Sequence, residues 1–168
     1  MQDILDSFER SGGEVTPEIS DLLASPAHRQ VLYKMLVDRE LLSAASILRE
    51  AFREEMKYRD QLWSGAKEEP YGSHEGIFQC AFLLYRMGLT EDLELLHQAS
   101  DLNQDVGEMD IEYFVGPGPD VSAEFLDQSN IKDAEFLAAA IREWADDPES
   151  PTWLHSWEER QLYAFRQA

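Results

Sequence analysis

Of the 168 residues only Cys80 is a cysteine, which excludes an internal disulfide framework and any cysteine-based zinc cluster, and fits a reducing compartment. No apolar stretch approaches the ~20 residues that a membrane helix needs. Residues 1–13 carry Asp3, Asp6 and Glu9 where a secretory leader would be apolar, so no signal peptide is expected. The expectation is a cytoplasmic protein with no membrane association. Period-two alternation is nearly absent, and only 111–115 fits a short strand or a single helical turn. There is no Gly-x-Ser-x-Gly elbow for a nucleophile. The Gly116-Pro117-Gly118 stretch is stiffened by proline and surrounded by acids, the wrong charge for a phosphate cradle.

Basic side chains are the most informative shortage. From Glu91 onward eleven carboxylates pass before Lys132 appears, whereas residues 1–70 hold fourteen acids against nine bases. The acidity is therefore local, and a concentrated negative field implies a cationic counterpart, either a metal ion or a basic protein surface. With a formal net charge of −20 the chain repels phosphates, so no nucleic acid is expected as a partner.

What is present is enough apolar material for a core. A hydrophobic fraction of 43% with eighteen aromatics excludes a disordered acidic tail. A chain of this length fits one domain, 1–168, burying roughly 70% of its unfolded surface. Thr16-Pro17, Ser25-Pro26 and Ser150-Pro151 each read as a hydroxyl N-cap before a proline at the first helical position. Thr90 before Glu91 and Asp92, and Asn130 before Asp133, supply two more starts with acids in the first turn. Gly12-Gly13, Gly72, Gly88 and the Gly116–Pro119 cluster supply stops. Between them apolar residues recur at three and four, as in Leu41, Ala45, Leu48, Phe52 and Met56, or Ala134, Leu137, Ala138, Ile141 and Ala145. Phe78 to Tyr85 has almost no polar face and reads as a central helix.

The spacing predicts helices at 2–11, 17–24, 26–38, 40–58, 74–87, 91–102, 120–128, 132–146 and 151–166. The expected fold is all-α, a single-domain antiparallel helical bundle or short HEAT-like α-solenoid of about eight or nine helices. No fixed-period self-similarity establishes a repeat. Two connections are longer, 61–73 and 103–119, and the second lies inside the acidic stretch.

The sharpest local pattern runs from Asp101 through Asn103 and Asp105 to Glu112, oxygen side chains at one, three, five and twelve as in an EF-hand calcium loop. Val106 occupies the position where that loop needs glycine, Gly107 comes one residue late, and Glu108 stands where an apolar residue belongs. The competing reading is a helix end followed by a polar loop with acids in solvent. His97 and Asp101, four apart on one helix, share a face, and with Asp105, Asp110 or Glu112 would make a carboxylate-metal site. Cys80 lies in an apolar segment and reads as a buried thiol.

Trp153 and Trp157 read mainly as core packing of a last helix, with an interface as the alternative. Tyr113 and Phe114, flanked by Asp110, Glu112 and Asp120, divide evenly between an apolar anchor for a cationic surface and a tuck of the long loop onto the core.

Asp105, Asp110, Ile111, Gly116, Gly118, Ser122, Phe125 and Leu126 give residues 78–127 a likeness to small helical bacterial proteins. Some of these resemble immunity proteins that accompany secreted antibacterial toxins. The resemblance implies a HEAT-like helical fold and an inhibitory binding role without catalysis, and it carries over no site residue.

The leading expectation is a non-enzymatic acidic binding protein that masks a basic, toxin-like surface such as that of a nuclease. Glu91, Glu94, Asp101, Asp105, Asp110 and Glu112 would steer and pair with Lys or Arg, and Tyr113 and Phe114 would desolvate at the contact centre. No catalytic residue, metal or cofactor is expected, and no oligomeric state is implied. One alternative is a divalent-metal protein using Asp101, Asn103, Asp105 and Glu112, and another is a helical scaffold subunit whose acidity serves solubility.

Overall fold

The computed structural model describes residues 3–68, 75–104, 106 and 109–167. Expectations that fall on Gly72, His74, Asp105, Gly107 and Glu108 lie outside the described residues. Among those described there are nine α-helices, two 3₁₀ turns and no strand, so the chain is all-α. The helices are α1 (Asp3–Arg10), α2 (Pro17–Leu23), α3 (Pro26–Leu36), α4 (Ala45–Trp63), α5 (Gly76–Met87), α6 (Asp92–Ser100), α7 (Pro119–Gln128), α8 (Ala134–Asp146) and α9 (Ser150–Gln167). Packing divides the chain into two compact units, Met1–Leu83 and Leu84–Ala168, and the boundary falls inside α5 rather than in a linker.

In the first unit, Thr16 caps α2, its Oγ1 accepting from the Ile19 N–H at 3.4 Å. Ser25 has the extended backbone of an N-cap before Pro26, yet its hydroxyl makes no capping bond. The fourth helix begins and ends five residues later than the 40–58 that spacing predicts. Leu42–Ala44 first winds as a 3₁₀ turn that buries Ala44, and nothing interrupts the helix until Ser64-Gly65, where Gly65 takes φ +72°. Ile19, Leu23, Leu32, Ile47, Leu48, Ala51 and Phe52 form the core of this unit. Ile77 to Leu84 on α5 is buried except for Phe78, which is half-buried, in line with its nearly unbroken apolar sequence.

The second unit has α7 and α8 as its most closely packed helix pair. Ala134, Ala138 and Ile141, at four and three, bury one stripe of α8. Asp133, before the first turn of α8, is left-handed at φ 60°, a conformation that a short polar side chain tolerates better than most. Ser150 is inside α9 rather than before it. Its hydroxyl reaches back to the Trp144 carbonyl, while the Glu149 carbonyl accepts the Thr152 and Trp153 N–H groups. The ambiguous 111–115 segment is a 3₁₀ turn, Ile111–Phe114.

Candidate functional site

Glu91, Glu94, Gln98 and Asp101 are exposed. At 100° per residue they fall within about 80° of the circumference of α6 and its two caps, along about 15 Å of axis. The opposite side, Leu93, Leu96 and Ala99, is buried, so this face is fixed outward by the core. Asp92, by contrast, is buried in the first turn, where a carboxylate complements the helix dipole. Gln98 donates its side-chain N–H to Glu94 Oε1 at 3.3 Å, and His97 Nδ1 lies 3.7 Å from Asp101 Oδ2. Beside this face opens a groove of about 490 Å³ lined by Glu94, Phe125, Gln128, Ser129, Asn130 and Ile131.

Asp110 and Glu112 do not belong to that face. Asp110 stands just before the 3₁₀ turn, and its Oδ2 accepts the Trp157 indole N–H at 3.2 Å. Trp157 is buried, with Tyr85 and Tyr113 each meeting its ring edge-on, at centroid distances of 5.0 and 4.9 Å. Tyr85 donates its hydroxyl to Glu158 Oε1 at 2.7 Å. Burial, reinforced by the bond to Glu158 and its charge, holds the Tyr85 phenol above its ordinary pKa. Glu112 is half-buried in the turn itself.

Tyr113 and Phe114 are 3% and 2% exposed, which removes them as surface anchors. The loop chemistry explains why. A side chain at Gly116 would meet the Tyr85 backbone carbonyl oxygen at 2.3 Å, so the Gly-Pro loop lies directly against the end of α5. Gly88, left-handed at φ +66°, packs its α-carbon against the same loop, where a Cβ would stand 3.2 Å from the Gly116 carbonyl oxygen. That close approach draws the preceding turn inward, and the two rings follow it into the core.

Val106, which replaces the glycine of a calcium loop, is fully buried, and its N–H bonds the Asn103 carbonyl at 3.1 Å. Among the described residues no three His, Cys, Asp or Glu side chains are placed to hold a metal ion.

The chain matches no family model, no curated protein and no solved structure.

A second polar cluster lies in the first unit, apart in sequence from every residue that the charge pattern points to. Arg29 donates to both Glu55 carboxylate oxygens, Nε to Oε1 at 2.6 Å and Nη2 to Oε2 at 3.1 Å, and Nη1 donates to the Leu23 carbonyl at 2.7 Å. Tyr33 adds its hydroxyl to Glu55 Oε1 at 3.0 Å, and the Tyr58 ring lies 5.6 Å from the guanidinium. Arg29 and Glu55 are almost wholly buried. Burial alone would lower the guanidinium pKa, but the Glu55 bond and charge outweigh it and hold Arg29 above its ordinary value. Burial, with Cys80 and Glu55 adding to it, pushes the Tyr33 phenol well up. Cys80 is buried, its Sγ 3.5 Å from the Leu48 carbonyl, the setting of an inert thiol. The signal was present in the spacing. Arg29 shares the buried stripe of Leu32, Tyr33 and Leu36, and Glu55 that of Leu48, Ala51 and Phe52, so each charge occupies a core position.

Proposed function

We propose that this chain is a non-enzymatic acidic binding protein whose second unit recognises a basic surface on a protein partner. An immunity or inhibitor role against a toxin is the most concrete form. The observation that carries this reading is the outward face of α6, where Glu91, Glu94 and Asp101 project along about 15 Å. The second unit gives that face its field, since residues 84–168 hold nineteen carboxylates against five basic side chains, a net of −14. Such a field steers a cationic partner and selects against anionic ones, adding more to association rate and partner choice than to residence time. Asp110 contributes charge while holding Trp157, so its part in recognition is secondary.

The test begins with the partner isolated on the tagged chain from its native cell. Its association rate should fall several-fold between about 50 and 300 mM salt, because the Debye length shrinks from above 10 Å to below it. Charge reversal at Glu94 and Asp101 should slow association at low salt. A partner whose association rate ignores both salt and these reversals would remove the acidic-face reading.

A further inference from the structure

We propose that the groove beside α6 is the seat for one arginine side chain of the protein partner, an assignment that rests on the acidic-face reading above. Glu94 is the only charged residue among those lining it, and it lies at the border between the groove and the outward acidic face. Phe125 and Ile131 are half-buried there, giving apolar surface that an aliphatic stem would cover. Gln128, Ser129 and Asn130 complete the lining with uncharged polar groups. Two of these are already engaged. Gln128 Nε2 donates to Glu124 at 3.1 Å, and Ser129 Oγ donates to the Leu126 carbonyl at 2.8 Å while accepting the Ile131 N–H at 3.3 Å.

Charge and shape together choose the occupant. An anionic group would meet Glu94 inside a unit of net charge −14. An uncharged apolar side chain would cover Phe125 and Ile131 but strip water from the Glu94 carboxylate without replacing it, which is costly. A cation on an aliphatic stem satisfies both demands. Arginine fits better than lysine, because its planar guanidinium can pair both nitrogens with one carboxylate and lie against an aromatic ring, while ammonium is a compact and strongly hydrated charge. The same pairing of guanidinium, carboxylate and aromatic ring occurs inside the first unit, where Arg29 meets Glu55 and Tyr58.

The experiment titrates the ¹⁵N-labelled full chain with Nα-acetyl-arginine methylamide at fixed ionic strength. The lysine and citrulline analogues and spermidine are run in parallel. The expected result is saturable amide shifts confined to Phe125, Gln128, Ser129 and Ile131, with citrulline bound about tenfold more weakly and lysine in between. Glu94→Gln should weaken the arginine probe about fivefold and leave the spectrum otherwise that of the folded chain. Shifts spread evenly over exposed carboxylates outside the groove, an arginine affinity indifferent to Glu94→Gln, or spermidine binding as tightly as the arginine probe would each overturn the assignment. Should the isolated partner keep its salt-dependent association while the groove ignores the probe, the groove assignment falls and the acidic face stands. A partner indifferent to salt removes both.

Discussion

Residues 1–83 hold fifteen carboxylates and nine basic side chains, and residues 84–168 nineteen and five, so the units differ in net charge by −6 against −14. They also place charge differently. The first unit takes Arg29 and Glu55 out of water and pairs them through two hydrogen bonds. The second leaves Glu91, Glu94 and Asp101 in solvent along one helix face. A carboxylate inside the first unit organises a core, because desolvation makes its pairing obligatory. On the outward face of α6 it produces a field, which costs the fold little and reaches beyond it.

The comparison is broken most forcefully at the buried pair. Arg29→Met leaves the Glu55 carboxylate buried without its main partner, and chemical denaturation should report a loss of about 3–5 kcal/mol. Adding Glu55→Met should restore part of it, since an apolar pair removes the desolvation cost along with the attraction. A single-variant loss below ~1 kcal/mol would mean the pair does not organise the first unit. Gly116→Ala is the counterpart in the second unit. Its Cβ would stand 2.3 Å from the Tyr85 carbonyl oxygen, and main chain cannot swing aside as a side chain does, so a loss of about 2–3 kcal/mol is expected. If Gly116→Ala melts like the parent chain, the loop does not hold Tyr113 and Phe114 in place.

How much of this was legible in sequence depends on whether the cause was local. Thr16-Pro17 and Ser25-Pro26 begin helices where they should, the first with a capping bond and the second on its proline alone, and the apolar Phe78 to Tyr85 run lies inside a buried helix, because these causes act within a turn or two. The Ser150-Pro151 pair misled by one step, since its hydroxyl had a tertiary acceptor, the Trp144 carbonyl. The late start of α4 follows from a 3₁₀ turn whose buried Ala44 no periodic pattern announces. The acidic site was half legible. Exposure of Glu91, Glu94 and Asp101 follows from the Leu93, Leu96 and Ala99 stripe, whereas the inward turn of Tyr113 and Phe114 depends on Gly116 meeting Tyr85 from far along the chain. The groove joins α6 to residues 125–131 and exists only once the helices have packed.

Alkaline pH sharpens the comparison from another side, because each unit buries a tyrosine bonded to a carboxylate, Tyr33 to Glu55 and Tyr85 to Glu158. Both phenols have pKa values raised above the ordinary 10.0. A group whose folded pKa is raised contributes stability that is complete below its unfolded pKa and is lost as pH climbs toward the folded one. Stability should therefore hold up to about pH 10 and then fall by roughly 1.4 kcal/mol per pH unit for each phenol still protonated only in the fold. Tyr33→Phe and Tyr85→Phe should each flatten that decline, the first through its loss in unit one and the second in unit two. Denaturation curves at pH 9 and pH 11 for the parent and both variants would check this, and an undiminished slope in either variant would release that tyrosine from the account.

The finest cut separates carboxylates that hold the second unit together from those that face outward. Asp110→Ala removes the carboxylate that accepts the Trp157 indole N–H at 3.2 Å, and losing that hydrogen bond should cost about 1–2 kcal/mol. Glu94→Gln with Asp101→Asn alters only exposed carboxylates, whose neighbours are Gln98 and, at 3.7 Å, the buried His97 ring, so stability should stay within ~1 kcal/mol of the parent. Removing a negative charge from the last turn of α6 even favours the helix slightly. In partner association the ranking should reverse, the double variant slowing encounter several-fold at low salt while Asp110→Ala changes it by no more than its one lost charge. Were Asp110→Ala to abolish recognition in a chain that remains folded, the loop would be the contact after all, and α6 would supply only the field around it.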